Sequence, residues 1–127
     1  MSGKTKPSRP VIAPRFKLWF SSEDVQGVFG DGKWRLLKAL EQEGSLQAVS
    51  KLLGISYRKA WGDLRKSERS LNVKLVQKVR GGPGGGGTRL TPLGRHWVRS
   101  YGSFRSEIEK AVNKAYERYM EKLVEKE

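Results

Sequence analysis

Apolar positions recur along the chain in two rhythms, a helical one in most segments and a strand-like one in two short stretches. Trp34, Leu37 and Leu40 are spaced i, i+3, i+6, which puts them on one face of a helix and predicts that element from about Lys33 to Glu43. Asp31 is its expected N-cap and Gly44 its expected stop. Ser45 opens a second helix with Leu46, Val49, Leu52 and Leu53 as the buried stripe, and Gly54 closes it. Ser56 caps a third, from about Tyr57 to Leu71, whose apolar face is Tyr57, Ala60, Trp61, Leu64 and Leu71. Small residues at Ala48 and Gly54 allow a close crossing, and Ile55 plugs the space between the two helices.

Alternation replaces that rhythm at Arg15–Phe20 and at Val73–Val79, which read as an edge strand and as the first arm of a hairpin. Ser21–Gly32, with three glycines, reads as a loop. The run from Gly81 to Gly87 supplies a long flexible hairpin tip, and Thr88–Thr91 the second arm. Pro92 suits the first turn of a last helix with Thr91 as N-cap. That helix extends almost to the end and carries Trp97, Tyr101, Phe104, Ile108, Ala111 and Ala115 at 4-3-4-3-4 spacing, continued by Tyr119 and Leu123. Gly102 marks a bend or a close helix approach. The outcome is a mainly α protein with a small β-hairpin and an edge strand. Residues 1–14, rich in Pro, Ser and basic side chains, form a flexible tail; 15–92 form a winged helix-turn-helix domain; 93–127 form a long dimerisation helix.

Charge gives this fold a partner. Lys and Arg number 26 against 13 Asp and Glu, a formal charge of +13, which favours a polyanion. The excess is local: from Gly54 to Thr91 nine basic residues stand against two acidic ones. Arg58, Lys59, Arg65, Lys66 and Arg69 fall away from the apolar face of the third helix, and Lys74, Lys78, Arg80 and Arg89 lie on or beside the hairpin. A helix so charged fits the major groove of duplex DNA, and a glycine-rich hairpin behind it can bring bare backbone to phosphates. A plain αα-hairpin with a solubilising charge is the bland alternative. The glycines do not make a nucleotide loop, because Gly87 is followed by Thr88 and Arg89 rather than by Lys-Ser/Thr opening a helix. The chain has no Cys and one His, His96, so neither a disulfide nor a metal cluster is implied, no cofactor is expected and no catalysis. Without a signal-like apolar run the setting is expected to be the cytoplasm, at the nucleoid, with no membrane contact.

Three segments carry a resemblance. Gly44-Ser45-Leu46, Gly54-Ile55-Ser56-Tyr57-Arg58-Lys59-Ala60-Trp61 and Gly84-Gly85-Gly86-Gly87-Thr88-Arg89-Leu90-Thr91 resemble the N-terminal DNA-binding domain of the ModE family, molybdate-responsive transcription regulators whose fold is similar to that of LysR-type regulators. The match runs from about Arg15 to Trp97. It implies a winged helix-turn-helix that dimerises through the long helix and binds double-stranded DNA. By position Ser56, Tyr57, Arg58 and Lys59 match the start of the recognition helix, and Gly84–Arg89 the wing. The expected DNA-binding set is Ser45, Ser56, Tyr57, Arg58, Lys59, Arg65, Lys66, Lys78, Arg80, Gly84, Gly85, Gly86 and Arg89. The expected homodimer contact is Phe104, Ile108, Ala111, Ala115, Tyr119 and Leu123. Molybdate-sensing members carry a further oxyanion-binding domain, and no β-rich segment follows the last helix here, so molybdate binding is not implied. The expected function is a transcription regulator; the alternative is an architectural DNA- or RNA-binding protein that is blind to sequence.

Overall fold

In a computed structural model that describes residues 10–82 and 85–125, three capped helices, a hairpin and one long helix follow each other in that order. The chain enters through β1 (Trp19–Phe20), which pairs antiparallel with β2 (Phe29–Gly30). The expected strand over Arg15–Phe20 shrinks to two residues, because only Trp19 and Phe20 find a partner, and the expected loop over Ser21–Gly32 contains that partner. Helices α1 (Asp31–Glu43), α2 (Leu46–Leu53) and α3 (Tyr57–Leu71) follow. Then come β3 (Val76–Gly82) and β4 (Gly85–Leu90), paired antiparallel from Val76↔Leu90 to Gly82↔Gly85 with an irregularity between Val79 and Gly82. Helix α4 (Pro92–Tyr119) and a short α5 (Glu121–Glu125) close the described chain. The tail expected at 1–14 lies outside the described residues up to Arg9.

Hydroxyl caps fix the helix starts. Ser45 Oγ accepts from the amide of Ala48, Ser56 Oγ from Lys59 and Thr91 Oγ1 from Gly94, each satisfying one orphan first-turn donor. Gly44 and Gly54 end α1 and α2 in the left-handed region, at φ 77° and 69°. That conformation, and not room for a close crossing, is what Gly54 supplies: no atom stands within 4 Å of where its Cβ would be. Asp31 is not the N-cap of α1. It is the first helical residue, Gly30 occupies the cap position without a side-chain bond, and the Asp31 carboxylate turns inward.

The core joins Phe29, Leu37, Leu40, Leu46, Val49, Leu64, Leu75, Leu90, Val98 and Tyr101. Leu52, Leu53 and Tyr57 of the expected stripes stay outside it and are exposed. Gly102 marks a close approach: its Cβ position lies 3.4 Å from Trp34 of α1. Beside it, Arg105 Nε bonds Asp31 Oδ1 at 2.8 Å and the Tyr101 hydroxyl donates to the same oxygen at 2.6 Å. The amide of Leu18 bonds Asp31 Oδ2 at 3.1 Å, and the Leu18 carbonyl lies 2.9 Å from the Tyr101 hydroxyl. One buried carboxylate thus ties the entry strand, α1 and α4 together. Burial works to raise its pKa, but the bonds from Arg105, Tyr101 and Leu18 outweigh it and hold Asp31 at about 2. Burial, then the neighbouring carboxylate, pushes the Tyr101 hydroxyl well above its ordinary range.

Candidate nucleic-acid interface

The outer face of α3 is built by subtraction. Ala60, Leu64 and Ser67 point into the core, so the helical period leaves Arg58, Lys59, Gly62, Lys66 and Arg69 exposed. Lys59 is bridged to Asp63 at 3.3 Å, an exposed i,i+4 pair that contributes little to stability. Gly62 was not among the expected site residues, yet it lies at the centre of this face, one turn after Arg58 and one before Lys66. A mid-helix glycine costs about 1 kcal/mol against alanine, and no atom stands within 4 Å of its Cβ position, so no packing inside the protein requires it. The signal for it was that cost.

Glu68 changes the charge balance of the same helix. It looks like an acidic residue opposing the cations, but its carboxylate is buried and accepts from the amides of Leu75 and Val76 at 2.8 and 3.2 Å. It fastens the base of the hairpin to α3 and leaves Asp63 as the acidic side chain on the surface of this helix. Arg65 follows Glu68 inward: its Nη1 lies 3.1 Å from Glu68 Oε1 and its guanidinium 4.8 Å from the Trp61 ring centre. Of the expected cations on α3, Arg65 is thereby held, whereas Arg58 and Lys66 stand in solvent.

The hairpin divides its residues by register. Gln77 faces Arg89 and Lys78 faces Thr88, and residues directly opposite share a face. Arg89 is exposed on the outer face. Lys78 lies on the inner face, its ammonium 5.1 Å from the Trp61 ring centre, so β3 and α3 meet through a ring between two cations. Arg80 is exposed beside the irregularity after Val79. The expected long flexible tip is shorter than the glycine run suggests, since Gly85 to Gly87 belong to β4, with Gly85 and Gly87 paired to β3; Gly84 lies outside the described residues. Gly87 is needed where the backbone crosses the α1–α2 turn: a Cβ there would stand 2.7 Å from the Gly44 carbonyl oxygen. Ser45, Tyr57 and Lys78 line one cleft between α2, α3 and the hairpin, while Ser56 is committed to capping α3.

The expected dimer stripe runs along α4. Phe104, Tyr119 and Leu123 are exposed, as are Ala111 and Ala115, and Ile108 is half-buried. Among the described residues no helix is long and apolar enough to cross a membrane.

Comparison with known proteins bears on this surface directly. Residues 32–95 match the model of the bacterial regulatory helix-turn-helix proteins of the lysR family. The chain is 37% identical over 112 residues to the molybdenum transport protein ModE of Azotobacter vinelandii, covering 87% of this chain and 42% of that one. It is 36% identical over 66 residues to the DNA-binding transcriptional dual regulator ModE of Escherichia coli, covering 52% of this chain and 25% of that one. To the molybdenum-pterin-binding protein MopB of Rhodobacter capsulatus it is 32% identical over 78 residues, covering 61% and 29%. The chain therefore spans well under half the length of these relatives.

Proposed function

Since this chain belongs to the bacterial regulatory helix-turn-helix proteins of the lysR family, we propose that it is a DNA-binding transcription regulator that reads the major groove with α3 and grips phosphates with its hairpin. The observation that carries this reading is the outer face of α3. Arg58, Lys66 and Arg69 are exposed cations without an ion-pair partner among the described residues, around the bare backbone of Gly62, and the carboxylate that would have opposed them is turned into the hairpin base. A surface of that kind attracts a phosphate backbone and lets a helix approach base edges. It performs no catalysis in this reading. It acts as a homodimer through α4, on the nucleoid.

Selection of bound duplexes from a random pool tests the reading. A regulator should enrich a pseudo-palindromic site held about 10³-fold or more above random DNA. Arg58→Ala should weaken that site by about 1–3 kcal/mol and random DNA by much less. Equal losses on both would reassign Arg58 to the backbone. Salt-sensitive binding without any enriched site would convert the protein to an architectural one.

A further inference from the structure

Gly62 stands at the crown of α3. With about 100° of turn per residue, it points nearly opposite to Ala60, Leu64 and Ser67, which are buried. Arg58 and Lys66 lie about 40° to either side of it, one turn before and one turn after, and all three are exposed. The fold has no use for glycine at this point. Its φ is not positive, and nothing stands within 4 Å of its Cβ position. Glycine inside a helix is less stable than alanine, so α3 loses stability here and gains no turn and no internal contact in return.

The chemistry of this gap is narrow. Gly62 lies in the interior of α3, so its amide and carbonyl are spent on the helix ladder, and it offers an approaching group neither a donor nor an acceptor. Its neighbours along the face, Arg58 and Lys66, have aliphatic stems below their charged heads. Against alanine, the volume left open is that of one methyl group. Most groups that base pairs present in the major groove are hydrogen-bonding ones: N7 and O6 of guanine, N7 and the amino group of adenine, the amino group of cytosine, O4 of thymine. The apolar one is the 5-methyl group of thymine.

We infer that Gly62 is a specificity-determining residue, whose bare Cα receives the 5-methyl group of a thymine in the bound site. This rests on the reading of α3 as the helix that enters the major groove. Contact between the methyl and the Cα removes both from water. The missing side chain also lets α3 sit deeper in the groove, where Arg58 and Lys66 reach base edges on either side. An alanine would hold the helix off by the thickness of its own methyl. Cytosine presents no methyl at the same point of the groove, so a T·A pair is preferred here without a hydrogen bond.

The test uses the full chain and a duplex carrying the site selected from a random pool. Each thymine of one half-site is replaced in turn by deoxyuridine, which deletes the 5-methyl group and leaves every hydrogen-bonding group of the base in place. At one position the wild type should lose about fourfold in affinity, the effect of exposing one buried methyl. Gly62→Ala should bind the thymine site several-fold more weakly than the wild type does. It should also show no difference between thymine and deoxyuridine at that position, so that the two changes fail to add. A wild type indifferent to every deoxyuridine would overturn the inference. So would a Gly62→Ala variant that keeps the wild type's sensitivity, since another residue would then hold the methyl. Both of those results leave specific DNA binding standing. A pool that yields no enriched site would overturn the reading of the protein as a regulator, and this inference with it.

Discussion

At the scale of the residue, the Asp31 carboxylate joins the entry segment, α1 and α4 through its bonds to Leu18, Tyr101 and Arg105. Its carboxyl sits at about 2 against an ordinary 3.8, so the folded state holds its charged form more tightly than the unfolded chain does. A carboxylate depressed in this way stabilises the fold at any pH above its unfolded value and loses that contribution as pH falls from about 4 to about 2. The shift corresponds to about 2 kcal/mol. Asp31→Asn should therefore be destabilised by about that amount in urea near pH 6, and the gap should close near pH 2. A gap that is unchanged by pH would mean that shape, not charge, matters at this position. None of this could be read from the sequence. Asp31 looks like a helix cap because Asp before an apolar period usually is one; its partners Tyr101 and Arg105 lie 70 and 74 residues away.

At the scale of the element, legibility followed the range of the interaction that fixes each boundary. Ser45, Ser56 and Thr91 start their helices by bonds that reach three residues on, and Gly44 and Gly54 end theirs by their own backbone, so sequence placed these boundaries within about two residues. The strands were harder. Glycine has little tendency of its own to be a strand, and Gly85–Gly87 become one because β3 offers a partner edge. Likewise Glu68 reads as a surface charge until the hairpin amides of Leu75 and Val76 are seen to need an acceptor. Gly62 turns this element-scale reasoning into an experiment with opposite signs. Gly62→Ala should raise stability by up to about 1 kcal/mol, because α3 gains a better helix former and nothing obstructs the new methyl. The same methyl projects from the middle of the surface proposed to face DNA and should weaken duplex binding. Melting temperature and affinity measured on the one variant check both; a gain in each would show that DNA does not approach α3 at this turn.

At the scale of the whole molecule, α4 is longer than its own domain can cover. Its 28 residues extend for about 42 Å; the Asp31 ion pair anchors the helix at Arg105, and the entry segment lines a cleft with it as far as Asn113. Beyond that anchor the stripe of Ile108, Ala111, Ala115, Tyr119 and Leu123 continues the face that Trp97 and Tyr101 bury. Its spacing was plain in the sequence; the anchor that aims it was not. A second copy would satisfy an exposed helical seam of this kind, and the anchor would give such a pair functional consequence. It locks the direction of α4 against α1 and the entry strand, so pairing two α4 helices would also set the separation of two α3 helices. Two major-groove half-sites on one face of B-DNA lie about 34 Å apart, or a multiple of that, and only a rigid link can hold two readers to such a distance. Ile108→Glu places a charge in the seam one turn beyond Phe104. It should give a monomer that retains wild-type helical content and a cooperative melt, yet loses most of its affinity for a palindromic site, because two coupled contacts become independent ones. Sedimentation equilibrium on the wild type and the variant decides the matter. A wild type that is already monomeric at about tens of micromolar would leave the stripe without a partner of its own kind, and the spacing of the α3 helices would then have to be set by the DNA.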